Sequence, residues 1–236
     1  MSAEYRKELR LRAEHVDCFR RLRLSVLMRL FQECCIAHTE ELGMGREKTL
    51  DRGLLWVVNT ETVVISRLPV YDESVTLVCR PGRTMHLFFP RQMEVLDETG
   101  RVLIRVGALW SLIDRETRRI ADPAEHGVFI EGDLRPDDVM PALSLPHREL
   151  SGRAELSADY SRVDINGHMN NAVYLDALTD LIEPERIGQI QRADLVFVKE
   201  LPLGSRTELS YGEEDGVFLA HCAEFSARLT FAPEMS

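Results

Sequence analysis

Residues 164–177, DINGHMNNAVYLDA, gather an acid, three amides and an imidazole immediately before a run with helical character. Asp164, Asn166, His168 and Asn171 fall within eight positions. The start of a helix offers unpaired N–H donors and the positive end of the helix dipole, and both stabilise negative charge that forms on a carbonyl oxygen. An imidazole can transfer protons near neutral pH. These residue types at this spacing favour hydrolysis of an acyl group.

A purely structural helix cap is the alternative interpretation of this stretch. A cap needs one Asp, Ser or Asn, and it would account for one of the four side chains. Asn-Gly pairs are common in turns, so Asn166 and Gly167 by themselves carry little functional information. The combination of an imidazole with several amides at one helix start is what favours chemistry.

The elements that must position these residues occur twice along the chain. In the first half, a strand leads to a helix near residues 22–43 and then to four strands. The second half has a strand near 153–160, a helix near 169–183 and four further strands between 189 and 232. A single apolar helix followed by antiparallel strands predicts an α+β fold in which a sheet wraps the helix.

Direct alignment of the two halves supports a duplication. At an offset of 147 residues, DCFRRLRLSVLM falls on DINGHMNNAVYL without a gap. Asp17, Phe19, Arg21 and Leu24 then stand where the second half has its polar set, so only the second copy retains it. The stretch between the copies holds four of the ten prolines. We therefore predict domains at 1–122 and 151–236 with a linker at 123–150.

Composition excludes several classes of function. The net charge of −10 argues against general binding to nucleic acid or anionic membranes, which requires a positive surface. No apolar run is long enough for a membrane span, and the first residues are charged, so we expect a cytoplasmic protein. Five cysteines without a C-x-x-C pair predict neither a disulfide framework nor a metal site, and no cofactor motif is present.

The stretch DINGHMNNAVY resembles the D-x-N-x-H-V-N-N-x-x-Y signature of the acyl-acyl carrier protein (acyl-ACP) thioesterases, the plant fatty-acyl thioesterases and their bacterial relatives. The resemblance extends to LFQECCIAHTEELG, to GLLWVVNTETVVISRLPVYDESVTL and to LWSLIDRETRRIADP in the first half. It implies a tandem hot-dog fold with catalytic residues in the second copy. The implied reaction is hydrolysis of fatty acyl-ACP to free fatty acid and holo carrier protein.

The resemblance also implies catalytic roles. Asp164, Asn166 and His168 match the family's Asp, Asn and His, and Glu200 in FVKEL matches its acid after the next strand. Plant members usually follow that acid with a cysteine, but this chain has Leu201, so no cysteine can attack from that position. We expect Glu200 and His168 to activate a water while Asn166 orients the reacting groups and Asp164 holds the loop. Direct attack by a carboxylate to form an anhydride remains an alternative.

An apolar pocket for the acyl chain, largely in the first half, is a further implication. Four large side chains are candidates for its lining, although each would also suit an ordinary core: Trp56, Met28, Phe31 and Trp110. The expected partner is an acyl carrier protein with a phosphopantetheine-linked acyl chain, and a homodimer is compatible with the sequence. Hydrolysis of acyl-coenzyme A is an alternative activity. A non-catalytic acyl-binding hot-dog protein is another.

Overall fold

The computed structural model describes residues 4–233 and consists of one ten-stranded antiparallel sheet with helices packed on it. Residues 1–3 and 234–236, at the outer ends of the predicted domains, lie outside the described residues. The strands are β1 Tyr5–Arg10, β2 Leu54–Ile65, β3 Ser74–Pro81, β4 Phe88–Leu96, β5 Val102–Asp114, β6 Gly152–Ser157, β7 Ile190–Phe197, β8 Arg206–Glu214, β9 Val217–His221 and β10 Phe225–Phe231. The helices are α1 Leu24–Glu41, α2 Pro123–His126, α3 Asn171–Thr179 and α4 Pro184–Ile187.

The strand order shows that the second half repeats the first. From one edge, the strands of the first half run β1-β3-β4-β5-β2. From the opposite edge, those of the second half run β6-β8-β9-β10-β7, which is the same order. The two halves join where β2 pairs with β7, from Thr60 opposite Val196 to Val64 opposite Arg192. The α+β prediction is confirmed, with five strands and one main helix, α1 or α3, in each half.

The two long helices supply the core, and they pack against each other. Apolar residues at helical spacing on α1, among them Leu27 and Phe31, are buried, as their period predicts. The second helix is shorter than the predicted 169–183, because α3 ends at Thr179 and Pro184 starts α4. Proline lacks the N–H that a continuing helix requires. No helix within residues 4–233 is both long and apolar enough to cross a membrane.

A buried polar cluster ties the two halves together beside the β2–β7 junction. The Asp194 carboxylate on β7 is fully buried and accepts a hydrogen bond from Thr62 Oγ1 on β2 at 2.7 Å. It also accepts hydrogen bonds from Arg192 Nε at 3.0 Å and from Arg228 Nη2 at 2.7 Å. Three donors therefore compensate a charge that would be costly to bury alone.

Most of the predicted linker, residues 123–150, lies against the first half, and its end contacts the second half, where Arg148 bonds Glu214 and His221. It begins with α2 and then continues without helix or strand to β6. Gln92 on β4 bonds both backbone groups of Val139, donating to its carbonyl at 2.9 Å and accepting from its N–H at 3.0 Å. Arg80 pairs with Asp138 at 2.8 Å. These contacts hold the segment on the sheet and fix its path from one half to the other.

Candidate active site

A tight turn before α3 carries three of the predicted catalytic residues, Asp164, Asn166 and His168. Asp164 Oδ1 accepts from the backbone N–H of Asn166 at 2.8 Å and from that of His168 at 3.4 Å. Gly167 adopts a φ of 78°, in the left-handed region where glycine carries no Cβ penalty. The Asp164 side chain therefore shapes the loop, and the side chains of Asn166 and His168 remain available for other contacts.

The first half contains the same turn without the same chemistry. Asp17 Oδ1 accepts from the N–H of Phe19 at 2.9 Å and from that of Arg21 at 2.8 Å. Arg20, at the position equivalent to Gly167, also has a positive φ, of 64°. The aspartate is thus the structural part of the repeated turn, whereas the amide and the imidazole occur only in the second copy.

The structural cap of α3 is Asn170, which belongs to none of the predicted catalytic positions. Its side-chain oxygen accepts from the N–H of Ala172 at 2.9 Å, and its carbonyl accepts from that of Val173 at 2.9 Å. Among the first three N–H groups of the helix, that of Asn171 is the one with no acceptor within residues 4–233. Asn171 lines the cavity described below, so this N–H is the candidate donor to an oxyanion.

The turn at residues 164–168 and the segment after β7 lie side by side and are hydrogen-bonded to each other. Met169 N–H donates to the carbonyl of Leu201 at 2.8 Å, and His168 forms a bridge with Pro202. This pairing brings His168 Nδ1 to 3.5 Å from Glu200 Oε1. His168 Nδ1 is buried and has no hydrogen-bond partner in the described chain. The distance is longer than a hydrogen bond, as is common in unliganded active sites, where such contacts tighten when substrate binds.

Arg118 is a site residue that the sequence analysis did not identify. It follows β5 in the first half, and its Nη2 forms an ion pair with Glu200 Oε2. Glu200 thus lies between a guanidinium on one oxygen and an imidazole on the other. In the sequence, Arg118 lies within the segment DRETRRIADP. This segment resembles the family, but the resemblance assigns no catalytic role to its arginines.

All four predicted catalytic residues line one cavity of about 370 Å³. It lies where β2 leaves β7, because β2 pairs with β7 only from Thr60 onward. Trp56 and Trp110, two of the predicted acyl-binding residues, are part of its wall. The remaining lining includes Gln32, Asn59, Ser111, Arg118, Asn171, Tyr174 and Phe197. Burial raises the pKa of the Tyr174 phenol, which therefore stays neutral at physiological pH.

A second, mainly apolar cavity of about 160 Å³ shares Trp56 and Trp110 with the first. Its other walls come from α1 and the segment that follows, including Cys35, Ile36 and Leu50. The two remaining predicted acyl-binding residues, Met28 and Phe31, are 2% and 0% exposed in the core and line neither cavity. The two tryptophans therefore stand between the cavity that contains the predicted catalytic residues, called the chamber below, and the mainly apolar cavity.

This arrangement brings together the kinds of groups that hydrolysis of an acyl group requires. A carboxylate, an imidazole and a helix start share one chamber, which supplies a base, a proton carrier and an oxyanion donor. Within residues 4–233 no cluster of three or more His, Cys, Asp and Glu side chains is placed to hold a metal ion. The five cysteines are all free thiols.

Comparison with known structures supports the architecture. An acyl-ACP thioesterase from Bacteroides thetaiotaomicron superposes with a TM-score of 0.84 at 22% identity, covering 98% of this chain and 100% of that one. The 12:0-ACP thioesterase from Umbellularia californica gives 0.82 at 21% identity, with 99% of each chain covered. At these identities the likeness concerns the fold, and the predicted tandem hot-dog arrangement is confirmed.

Sequence comparison gives the family. The palmitoyl-acyl carrier protein thioesterase of Arabidopsis thaliana is 25% identical over 225 residues, which cover 86% of this chain and 52% of that protein. A dodecanoyl-[acyl-carrier-protein] hydrolase of Cinnamomum camphora is 25% identical over 196 residues, 75% of this chain and 50% of that protein. The chain thus spans about half the length of these relatives. The profile of the acyl-ACP thioesterase N-terminal domain matches residues 2–127, and that of the C-terminal domain matches 147–226. The chain belongs to the acyl-ACP thioesterase family.

Proposed function

We propose that this protein hydrolyses fatty acyl-ACP thioesters to free fatty acid and holo carrier protein. The proposal rests on one observation: His168 Nδ1 lies 3.5 Å from Glu200 Oε1 in the chamber. The chamber adjoins an apolar cavity. A thioester carbon at the helix start would meet the polar groups, and its acyl chain would extend past the tryptophans. Family membership supports the same activity.

In the proposed first step, a water attacks the thioester carbonyl carbon while the Glu200–His168 pair takes its proton. The N–H of Asn171 donates to the carbonyl oxygen as charge develops there, and Asn166 orients the reacting groups. Collapse of the tetrahedral intermediate breaks the C–S bond. The proton then passes from the pair to the departing thiolate, so acid and thiol leave with the pair restored. Arg118 contacts the carboxylate and acts as a positioning residue.

Direct attack by the Glu200 carboxylate is the alternative first step. It would expel the thiolate and leave an acyl anhydride on Glu200, which water would then cleave. Acid-quenched reactions should be digested and analysed by mass spectrometry. An acylated Glu200 peptide would support this route, and its absence during rapid turnover would support attack by water.

The carrier-bound donor is proposed over acyl-coenzyme A because the chain belongs to the acyl-ACP thioesterase family. Arginines near the start of the chain could form a basic patch for an acidic carrier protein, but two of them are paired with acids. Arg10 contacts Asp72 at 2.6 Å and Arg21 contacts Asp17 at 2.9 Å, and these ion pairs neutralise part of the patch. The same acyl group should be offered on carrier protein and on coenzyme A, and faster turnover of the coenzyme A ester would reverse this assignment.

The decisive experiment follows thiol release from a ladder of acyl-ACP substrates. Glu200→Gln and His168→Ala should each lower kcat by about 100-fold or more, the range typical of acid–base groups. Glu149→Gln is the matched control, because Glu149 is exposed and lies outside both cavities. Retention of more than a tenth of the wild-type rate in both active-site variants would defeat the assignment. Tight acyl binding without turnover would favour the non-catalytic alternative.

Cytoplasmic location and a homodimeric state stay predictions from the sequence. Cell fractionation tests the first, and light scattering on the purified protein tests the second. Recovery in a membrane or secreted fraction would contradict the location, and a monomer mass would contradict the dimer.

A further inference from the structure

Asn59 has an amide group that forms no side-chain hydrogen bond within the described residues. Its Oδ1 is buried without a partner, and the residue lines the catalytic chamber. A buried polar group without a partner costs stability, and native structures rarely retain one without a reason. Within the described residues, five side chains of the chamber lining have a buried polar atom without a partner: Trp56, Asn59, Trp110, Ser111 and His168. Asn59 supplies the one amide among them.

The backbone gives Asn59 a special position. The pairing of β2 with β5 shifts register between Val58 and Thr60, so Asn59 is the extra residue of a β-bulge. The pairing of β2 with β7 also stops at Thr60. Asn59 is therefore the point at which the sheet opens to form the chamber. Bulges beside active sites commonly redirect one side chain out of the alternating pattern.

The unpaired amide has a natural partner in the proposed substrate. The phosphopantetheine arm carries an amide two carbons from its sulfur, with one N–H donor and one carbonyl acceptor. The N–H and the carbonyl of a trans secondary amide point in opposite directions, so one asparagine side chain can bond only one of them. The unpartnered Oδ1 of Asn59 is an acceptor and suits the pantetheine N–H. The chamber holds the catalytic residues that must meet the thioester, which brings the nearby pantetheine amide to the same wall.

We propose that Asn59 binds the pantetheine amide next to the thioester and so positions the thioester carbon for attack. The inference rests on the proposed thioesterase function and adds to it a recognition residue from the non-catalytic half. Asn59 Oδ1 accepts from the pantetheine N–H. It recognises the arm common to all acyl-carrier substrates, independent of the length of the acyl chain.

The test compares two dodecanoyl thioesters that differ only in the amide. One is the thioester of N-acetylcysteamine, which contains the pantetheine amide, and the other is that of 2-ethoxyethanethiol, which has the same length and an ether in its place. Asn59→Ala should lower kcat/KM about fivefold to tenfold on the amide substrate, as expected for one lost hydrogen bond, and less than about twofold on the ether substrate. Both rates come from one preparation, so partial unfolding would lower them equally.

Thr60→Val is the matched control. Thr60 is the next residue on β2, and its hydroxyl is also buried without a partner, but it does not line the chamber. Valine has nearly the same shape as threonine, and this variant should leave the ratio of the two kcat/KM values unchanged. An equal loss on both substrates in Asn59→Ala, or no loss on either, would overturn the role of Asn59.

A binding measurement separates failure of this inference from failure of the proposed function. The S-dodecyl thioether of N-acetylcysteamine contains the amide and cannot be hydrolysed. Calorimetry should show weaker binding to Asn59→Ala than to the wild type and equal binding to Thr60→Val. If the wild type released no thiol from acyl-ACP, hydrolysis would be refuted. The difference in binding affinity between the wild type and Asn59→Ala would still test the amide contact. Equal affinity in all three proteins would refute the contact.

Discussion

Arg118 contacts one oxygen of Glu200 and thereby joins the turn after β5 in the first half to the segment after β7 in the second. The contact restrains the carboxylate next to His168. The first half therefore helps to position the proposed base.

Replacing Arg118 by glutamine should lower kcat. Without the guanidinium, the Glu200 carboxylate loses the ion pair that holds it beside His168, and a misplaced catalytic group reacts more slowly. We expect kcat to fall by about tenfold, with a smaller change in KM. Arg118→Lys retains the cation and should recover part of the loss, and steady-state kinetics would measure both variants.

Arg115→Gln is the control for Arg118. Arg115 lies in the same turn, and its side chain has no acid partner within residues 4–233. Its kcat should match that of the wild type. A wild-type kcat in Arg118→Gln would contradict the positioning role of the arginine.

At the scale of elements, the start of α3 depends on one side chain that takes no part in the proposed chemistry. Asn170→Ala removes the acceptor for the N–H of Ala172 and should lower the free energy of unfolding by about 1 kcal/mol. Asn170→Asp retains the acceptor and should cost much less. Urea denaturation monitored by circular dichroism measures both. Equal stability of the alanine variant and the wild type would show that the cap contributes nothing.

The helices, the strands and the polar turn could be predicted from sequence because each follows from local chemistry. Periodic apolar residues indicate α1, and an aspartate followed closely by Asn-Gly indicates the turn at Asp164. Comparison of the two copies also separated Asn166 and His168 from the shared aspartate. The roles assigned to these residues stay predictions, but the structure brings them into one cavity with Glu200.

Arg118 and Asn59 could not be predicted in the same way, because both depend on contacts between the halves. Periodicity shows which residues of a strand share a face, but not where two strands separate. The chamber exists because β2 leaves β7 at Thr60, and the bulge at Asn59 is a feature of pairing. Residues that enter a site through long-range pairing carry no local signal.

At the scale of the whole molecule, the β2–β7 junction joins the two halves into one sheet. Glu61 lies in this junction and is 4% exposed. It lies opposite Leu195 on β7 and Ala108 on β5. No cation lies within 4.0 Å of its carboxyl among residues 4–233. Burial raises its pKa from the ordinary value of 4.5 to about 8. The acid is therefore protonated in the folded protein at neutral pH.

This buried acid should make stability fall as the pH rises. Between pH 4.5 and about 8 the folded protein keeps a proton that the unfolded chain releases, so the free energy of unfolding decreases across that window, by up to about 1 kcal/mol per pH unit. Glu61→Gln retains the shape without the titration, and its stability should decline less from pH 5 to pH 8. Urea denaturation at each pH measures the difference from the wild type, with the exposed Glu149→Gln as the control. Identical pH profiles for Glu61→Gln and the wild type would mean that Glu61 is already ionised at the junction, which would require a cation or water to reach it there.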